Sequence, residues 1–126
     1  MFKWTARLLF LIVSLTFCYA ADITDQRTNG QLNGRFWTTL TNNEKLFFVL
    51  GYCELRPPPW ECPSKTEFGD IVKGIDRFYQ EPENLRLPVI FAADIFKLKV
   101  AGAKTSEIEA VMEEARKFSD KPQPQK

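Results

Sequence analysis

Two cysteines and a few carboxylates are the side chains of this sequence with the most chemistry to offer. Histidine is absent from all 126 residues. That removes His-based triads, His-ligated metal sites and the usual proton switch near neutral pH. Asp70, Asp76, Glu81 and Glu83 come nearest to an acidic cluster. Asp70 lies three residues from Lys73, with Arg77 one turn further on, which is the spacing of a mixed, solvated helix face. Asp76 and Glu81 could share acid–base work only by meeting in a cleft that perturbs their pKa values. Glu113-Glu114 followed by Arg116-Lys117 reads the same way as the Asp70 group, with its basic pair suited to a helix carboxyl end. Gly30, Gly34, Gly69, Gly74 and Gly102 never form a phosphate-cradling string; Gly69 and Gly74 sit inside a helical pattern, tolerated there or admitting a neighbouring helix. The sequence therefore reads as a non-enzyme, with no catalytic, cofactor-binding or metal-ligating residue and no cofactor.

Cys53 and Cys62 are better placed to do something. Their x8 spacing is not the CxxC of an oxidoreductase, and two Cys without His cannot complete a zinc site. A structural disulfide is the expectation, with two free thiols or a redox pair as the alternatives. A closed loop of about ten residues would stabilise the fold by roughly 2–3 kcal/mol through chain entropy. Between the cysteines runs Glu54-Leu55-Arg56-Pro57-Pro58-Pro59-Trp60-Glu61. Prolines lower the entropy lost on binding, and Trp and Arg are common interface anchors. Arg56, Trp60 and Glu61 are thus the candidate protein-binding residues. In the alternative, Trp60 folds back onto the core and the prolines only make the turn. The segment from Tyr79 to Pro88 is a second exposed candidate, or simply a helix–helix connection in which Asn84 or Glu83 bonds backbone.

The elements that must position this loop begin after a leader. Lys3 and Arg7 precede an apolar run from Leu8 to Phe17, followed by Cys18-Tyr19-Ala20-Ala21, the layout of a secretory signal peptide over residues 1–20. Some ten apolar residues make about 15 Å of helix, half of the roughly 30 Å bilayer core, so no membrane span remains once the leader is removed. Cleavage near Ala20 implies a periplasmic or secreted product. It also leaves Cys53 and Cys62 as an even pair bound for an oxidising compartment. With 17 Lys+Arg against 16 Asp+Glu, the full chain has a net charge of +1, which makes no electrostatic case for nucleic acid. A hydrophobic fraction of 44% with 26% charged residues is that of a globular chain, and the length suits one domain.

Residues 21–31 are polar and without periodicity, and read as a flexible arm; residues 119–126 read as a disordered tail. Residues 32–118 should form the folded domain. Asn33 can cap a short turn carrying Phe36, Trp37 and Leu40. Thr41 and Glu44 fit a capping box ahead of Leu46, Phe47, Val49, Leu50 and Cys53 at helical spacing. Pro57-Pro58-Pro59 ends that helix. Ser64 and Glu67 fit a second box, behind which Phe68, Ile71, Val72, Ile75, Phe78 and Tyr79 make the cleanest amphipathic stripe in the chain. A helix opening at Pro88 carries Val89, Ile90, Phe91, Ile95, Phe96 and Leu98 before Gly102, and should be the most buried. The last helix starts near Thr105 or Ser106, with box spacing to Glu109. The expected fold class is all-α, about five short helices in one compact domain with one disulfide.

The stretches Phe48 to Cys53, Cys62-Pro63-Ser64-Lys65-Thr66, Ile71-Val72 through Phe78-Tyr79 and Pro82-Glu83, then Leu87-Pro88 and Ala92-Ala93, resemble the Tai/Rap type of bacterial immunity proteins. The resemblance implies a small, helical, disulfide-bonded periplasmic protein that blocks a cell-wall amidase delivered by type VI secretion. Of the family's positions, Cys53 and Cys62 carry over. The family usually has a further cysteine where this chain has Leu98-Lys99-Val100-Ala101-Gly102, and this chain adds a helix over residues 107–118. The functional expectation is an exported, small helical binding protein, in its specific form an immunity-like inhibitor of a periplasmic cell-wall hydrolase. Its partner would be a protein, with the hydrolase as the specific case. The competing expectation is a structural or envelope-associated accessory protein with no enzyme target.

Overall fold

Side-chain caps, prolines and backbone closures set the helix ends among the described residues. The computed structural model describes residues 25–55, 62–63 and 65–122. Within them lie five helices: α1 (Gly34–Thr39), α2 (Asn42–Leu55), α3 (Phe68–Phe78), α4 (Val89–Val100) and α5 (Thr105–Ser119). A 3₁₀ turn (Pro82–Arg86) links α3 to α4. The expected leader over residues 1–20 lies outside the described residues, as do Arg56, Trp60, Glu61 and Ser64. The fold is all-α, one domain with one disulfide.

Asn33 caps α1 as expected, its Oδ1 accepting from the backbone N–H of Arg35 at 3.0 Å and of Phe36 at 3.3 Å. The Thr41–Glu44 box also forms: Glu44 Oε2 accepts from the Thr41 hydroxyl and backbone N–H, both at 2.7 Å. Those bonds to the Thr41 hydroxyl and N–H hold the exposed Glu44 carboxyl below its usual range. α4 closes in a Schellman motif at Gly102, whose φ of +74° suits glycine. There Ala103 N–H reaches Leu98 C=O at 2.9 Å and Gly102 N–H reaches Lys99 C=O at 3.1 Å.

Four details differ from the sequence reading. α3 opens at Phe68 with Glu67 extended before it and no side-chain cap, so Glu67 is the residue outside the helix and not the third one in. α5 is capped two residues earlier than Ser106–Glu109: Glu107 reaches back to the Lys104 backbone N–H at 2.8 Å. The third concerns the arm. Residues 25–31 are not loose. β1 (Arg27–Thr28) pairs antiparallel with β2 (Gln31–Leu32) through an Asn29-Gly30 turn. Both turn residues have positive φ, 50° and 80°, the requirement of a two-residue hairpin. Thr28 Oγ1 then donates to Arg86 C=O at 2.6 Å, and Asn29 donates to Phe118 C=O. At the other terminus α5 continues through Ser119, which is buried, so the tail starts a residue later than expected.

The core lies where α3 meets its neighbours. α3 packs on α2 and on α4, and α4 on α5. Ile71 and Ile75 of α3 are fully buried with Trp37, Val49 and Val89, and Val72 and Tyr79 are buried too, so the expected stripe faces inward except at its first residue, Phe68, which is exposed. Burying each such side chain contributes roughly 1.5–3 kcal/mol relative to exposure. α4 is buried chiefly through Val89, Ala92, Ala93 and Ile95, while Phe91, Phe96 and Leu98 are half-buried. Gly74 lets α3 and α4 approach, since a Cβ there would collide with the Phe96 ring.

Candidate binding site

The disulfide forms between Cys53, in the last turn of α2, and Cys62, with a Cα–Cα distance of 5.3 Å across a sequence separation of 9. It returns the chain to the end of α2 and so holds both ends of the Pro-Trp loop there. The candidate anchors Arg56, Trp60 and Glu61 are in that loop and outside the described residues; the base on which they stand is described.

Polar ties set the rotation of α2 on the core. Lys45 Nζ lies 2.8 Å from Asp76 Oδ1, and the same oxygen accepts from Trp37 Nε1 at 2.8 Å. The ammonium also sits 5.4 Å from the centroid of the Trp37 ring. Tyr52 donates its hydroxyl to Asp94 of α4. Lys45, Val49 and Tyr52 are therefore turned inward at i, i+4 and i+7, and positions 47, 50 and 54 point away.

The outward side is apolar. Phe47 is 72% exposed and Leu55 85%, with Leu46 and Leu50 each somewhat over a third exposed. Leu55 also borders a shallow hollow of about 370 Å³ with Phe48, Gly51 and Tyr52. Of Leu46, Phe47, Val49, Leu50 and Cys53, which the sequence places at helical spacing, only Val49 is buried and Cys53 half-buried. A sequence signal existed. Leu46 to Leu50 is five consecutive apolar residues, more than one helix face can bury. The charged residues of α2 are Glu44, Lys45 and Glu54, and with Lys45 turned to Asp76 the outer side carries acids alone.

The carboxylates considered for catalysis do not come together. Asp76 is taken up by Trp37 and Lys45, whereas Glu81 borders a different hollow that Asp76 does not line. Asp70 pairs with Lys73 at 3.4 Å, and Glu113 with Lys117 at 2.6 Å, both on exposed faces. The hydrogen bond and charge of each partner lower the Glu113 pKa and raise that of Lys117. Among the described residues no group of three or more His, Cys, Asp or Glu could hold a metal, and no helix is long and apolar enough to cross a membrane.

The segment from Tyr79 to Pro88 is a structural connector. Asn84 is buried and donates Nδ2 to Phe78 C=O at 2.9 Å. The Tyr79 hydroxyl donates to Leu87 C=O at 2.9 Å, and burial pushes this phenol well above the ordinary tyrosine range. Its ring covers Gly34, where any Cβ would collide with it.

Compared with known proteins, the chain matches no family model, no curated protein and no solved structure.

Proposed function

We propose that this chain is an exported, non-enzymatic binding protein that presents the outer face of α2 and the stapled loop at its end to a protein partner. The reading rests on one observation above others: Phe47 and Leu55, both largely exposed, lie on the helix whose last turn anchors the Cys53–Cys62 bridge. Single exposed apolar residues are ordinary, but a cluster on one helix, bordering a constrained loop, is the arrangement of an interaction surface. Arg56, Trp60 and Glu61, the candidate residues of the sequence, would belong to the same partner contact, with Trp60 and Arg56 as its anchors. Charge narrows the partner. An antiparallel self-pair of α2 would set Glu44 of each copy against Glu54 of the other, whereas a different protein with an apolar patch edged by Lys or Arg meets no such repulsion. The partner we propose is a periplasmic cell-wall hydrolase, which the chain inhibits as an immunity-like protein; the resemblance of residues 46–96 to the Tai/Rap type supports this choice.

The test uses disulfide-intact protein from the full gene and a panel of purified cell-wall amidases, assayed for peptidoglycan solubilisation. One amidase should be inhibited stoichiometrically, and a Phe47→Asp/Leu55→Asp variant should lose that inhibition while keeping its helical circular dichroism. If no amidase in the panel were inhibited, the immunity reading would give way to an envelope accessory role. Equal inhibition by the variant would remove α2 from the site.

A further inference from the structure

A larger hollow, of about 520 Å³, opens between α3, α4 and α5, and it is independent of the α2 face. Its size is within the range of small-ligand sites, roughly 300–1,000 Å³. The floor is apolar. Ile95 is buried, the Phe96 ring lies over Gly74, and Ile108 and Met112 of α5 are half-buried against it. The flexible thioether of Met112 can adapt to an occupant. Two cations line the hollow, Arg77 on α3 and Lys99 on α4, both exposed and neither in an ion pair with a described residue. Glu81 is the one acid lining the hollow, so its rim is net positive.

We infer that this groove binds a single-chain anionic amphiphile, a long-chain carboxylate, with its acyl chain along Ile95, Phe96 and Met112 and its head group at Arg77 and Lys99. The two halves of the groove demand the two halves of such a ligand. An uncharged chain would leave the cations unmatched, a cationic one would be repelled, and a small anion would leave the apolar floor wet.

Dodecanoate below its micelle concentration is the probe, titrated calorimetrically into protein expressed from the full gene. Dodecanol and dodecyltrimethylammonium serve as neutral and cationic comparators. The sequence has two methionines, so methyl-labelled Met112, assigned with Met112→Leu, reports from the groove floor by NMR. Saturable one-site binding of dodecanoate that shifts the Met112 methyl is expected. Binding should weaken by about tenfold for either comparator and for Arg77→Gln/Lys99→Gln, corresponding to roughly 1.4 kcal/mol. Absence of binding would overturn the proposal, as would equal affinity for dodecanol. So would binding that leaves Met112 unmoved and disappears in Phe47→Ser/Leu55→Ser, because the ligand would then sit on α2.

Discussion

The two ends of this molecule are finished by different means. Around α1, buried polar groups close the fold. Asn33 joins Asp25 C=O at 2.9 Å, Thr28 Oγ1 at 3.2 Å and two α1 amides. Thr28 ties the hairpin to the distant Arg86 carbonyl, and Tyr79 and Asn84 tie the α3–α4 connection to carbonyls nearby. Each of those groups has its partner, as burial demands. Around the end of α2, by contrast, apolar side chains are left outside and a covalent bridge fixes the chain. The contrast separates residues kept for the fold from residues available to a partner: the first set lies under hydrogen bonds, the second lies open beside the staple.

That division can be broken from either side. The largest effect should come from Trp37→Ala, which empties the most buried aromatic position and leaves Asp76 with Lys45 alone. A loss of about 3–5 kcal/mol in urea unfolding is expected, enough to unfold much of the population of so small a domain. Next is Cys53→Ser/Cys62→Ser, expected to cost about 2–3 kcal/mol through the freed loop. Reduction of the wild type should give the same loss by the same measurement.

Tyr79→Phe ranks third, at about 1 kcal/mol for the lost hydroxyl bond, because Leu87 C=O keeps its second donor, the Gly34 N–H at 3.2 Å. Its pH dependence is the sharper readout. Burial raises the Tyr79 pKa in the native state, so its contribution is complete below the unfolded value of about 10 and is lost as pH rises beyond it. Wild type should lose stability more steeply than Tyr79→Phe as pH rises above about 10, as read by chemical unfolding at each pH. The smallest effect belongs to Glu44→Gln. The native Glu44 pKa is lowered, so its contribution is present above the ordinary carboxylate pKa and fades as pH falls through the native one. The variant should show a shallower acid slope and no change in alkali.

Much of the sealed part was legible in the sequence. The offsets of Ile71, Val72, Ile75 and Tyr79 admit one periodicity, and Thr41-x-x-Glu44 names its own cap. Cys53 and Cys62 had few other fates in a chain with no His. The hairpin was overlooked although Asn29-Gly30 is a strong turn signal, because strands of two residues offer no alternation to detect. The start of α3 and the capping pair of α5 differ because box spacing occurs in several registers there, and tertiary packing selects among them. The outer face of α2 was hidden for a related reason. Composition says that Leu46, Phe47 and Leu50 are apolar, but only the contacts of Lys45 with Asp76 and of Tyr52 with Asp94 determine which side of the helix faces water.

The most direct test of the division is to measure stability and partner affinity on one variant, Phe47→Ser/Leu55→Ser. Both side chains are largely exposed, so unfolding free energy should stay within about 0.5 kcal/mol of wild type per site. Affinity for the proposed hydrolase partner should fall by about 2 kcal/mol or more, as at an interface hot spot. A variant that lost stability by that amount and kept its affinity would show that the outer face of α2 serves the fold, and would contradict the account.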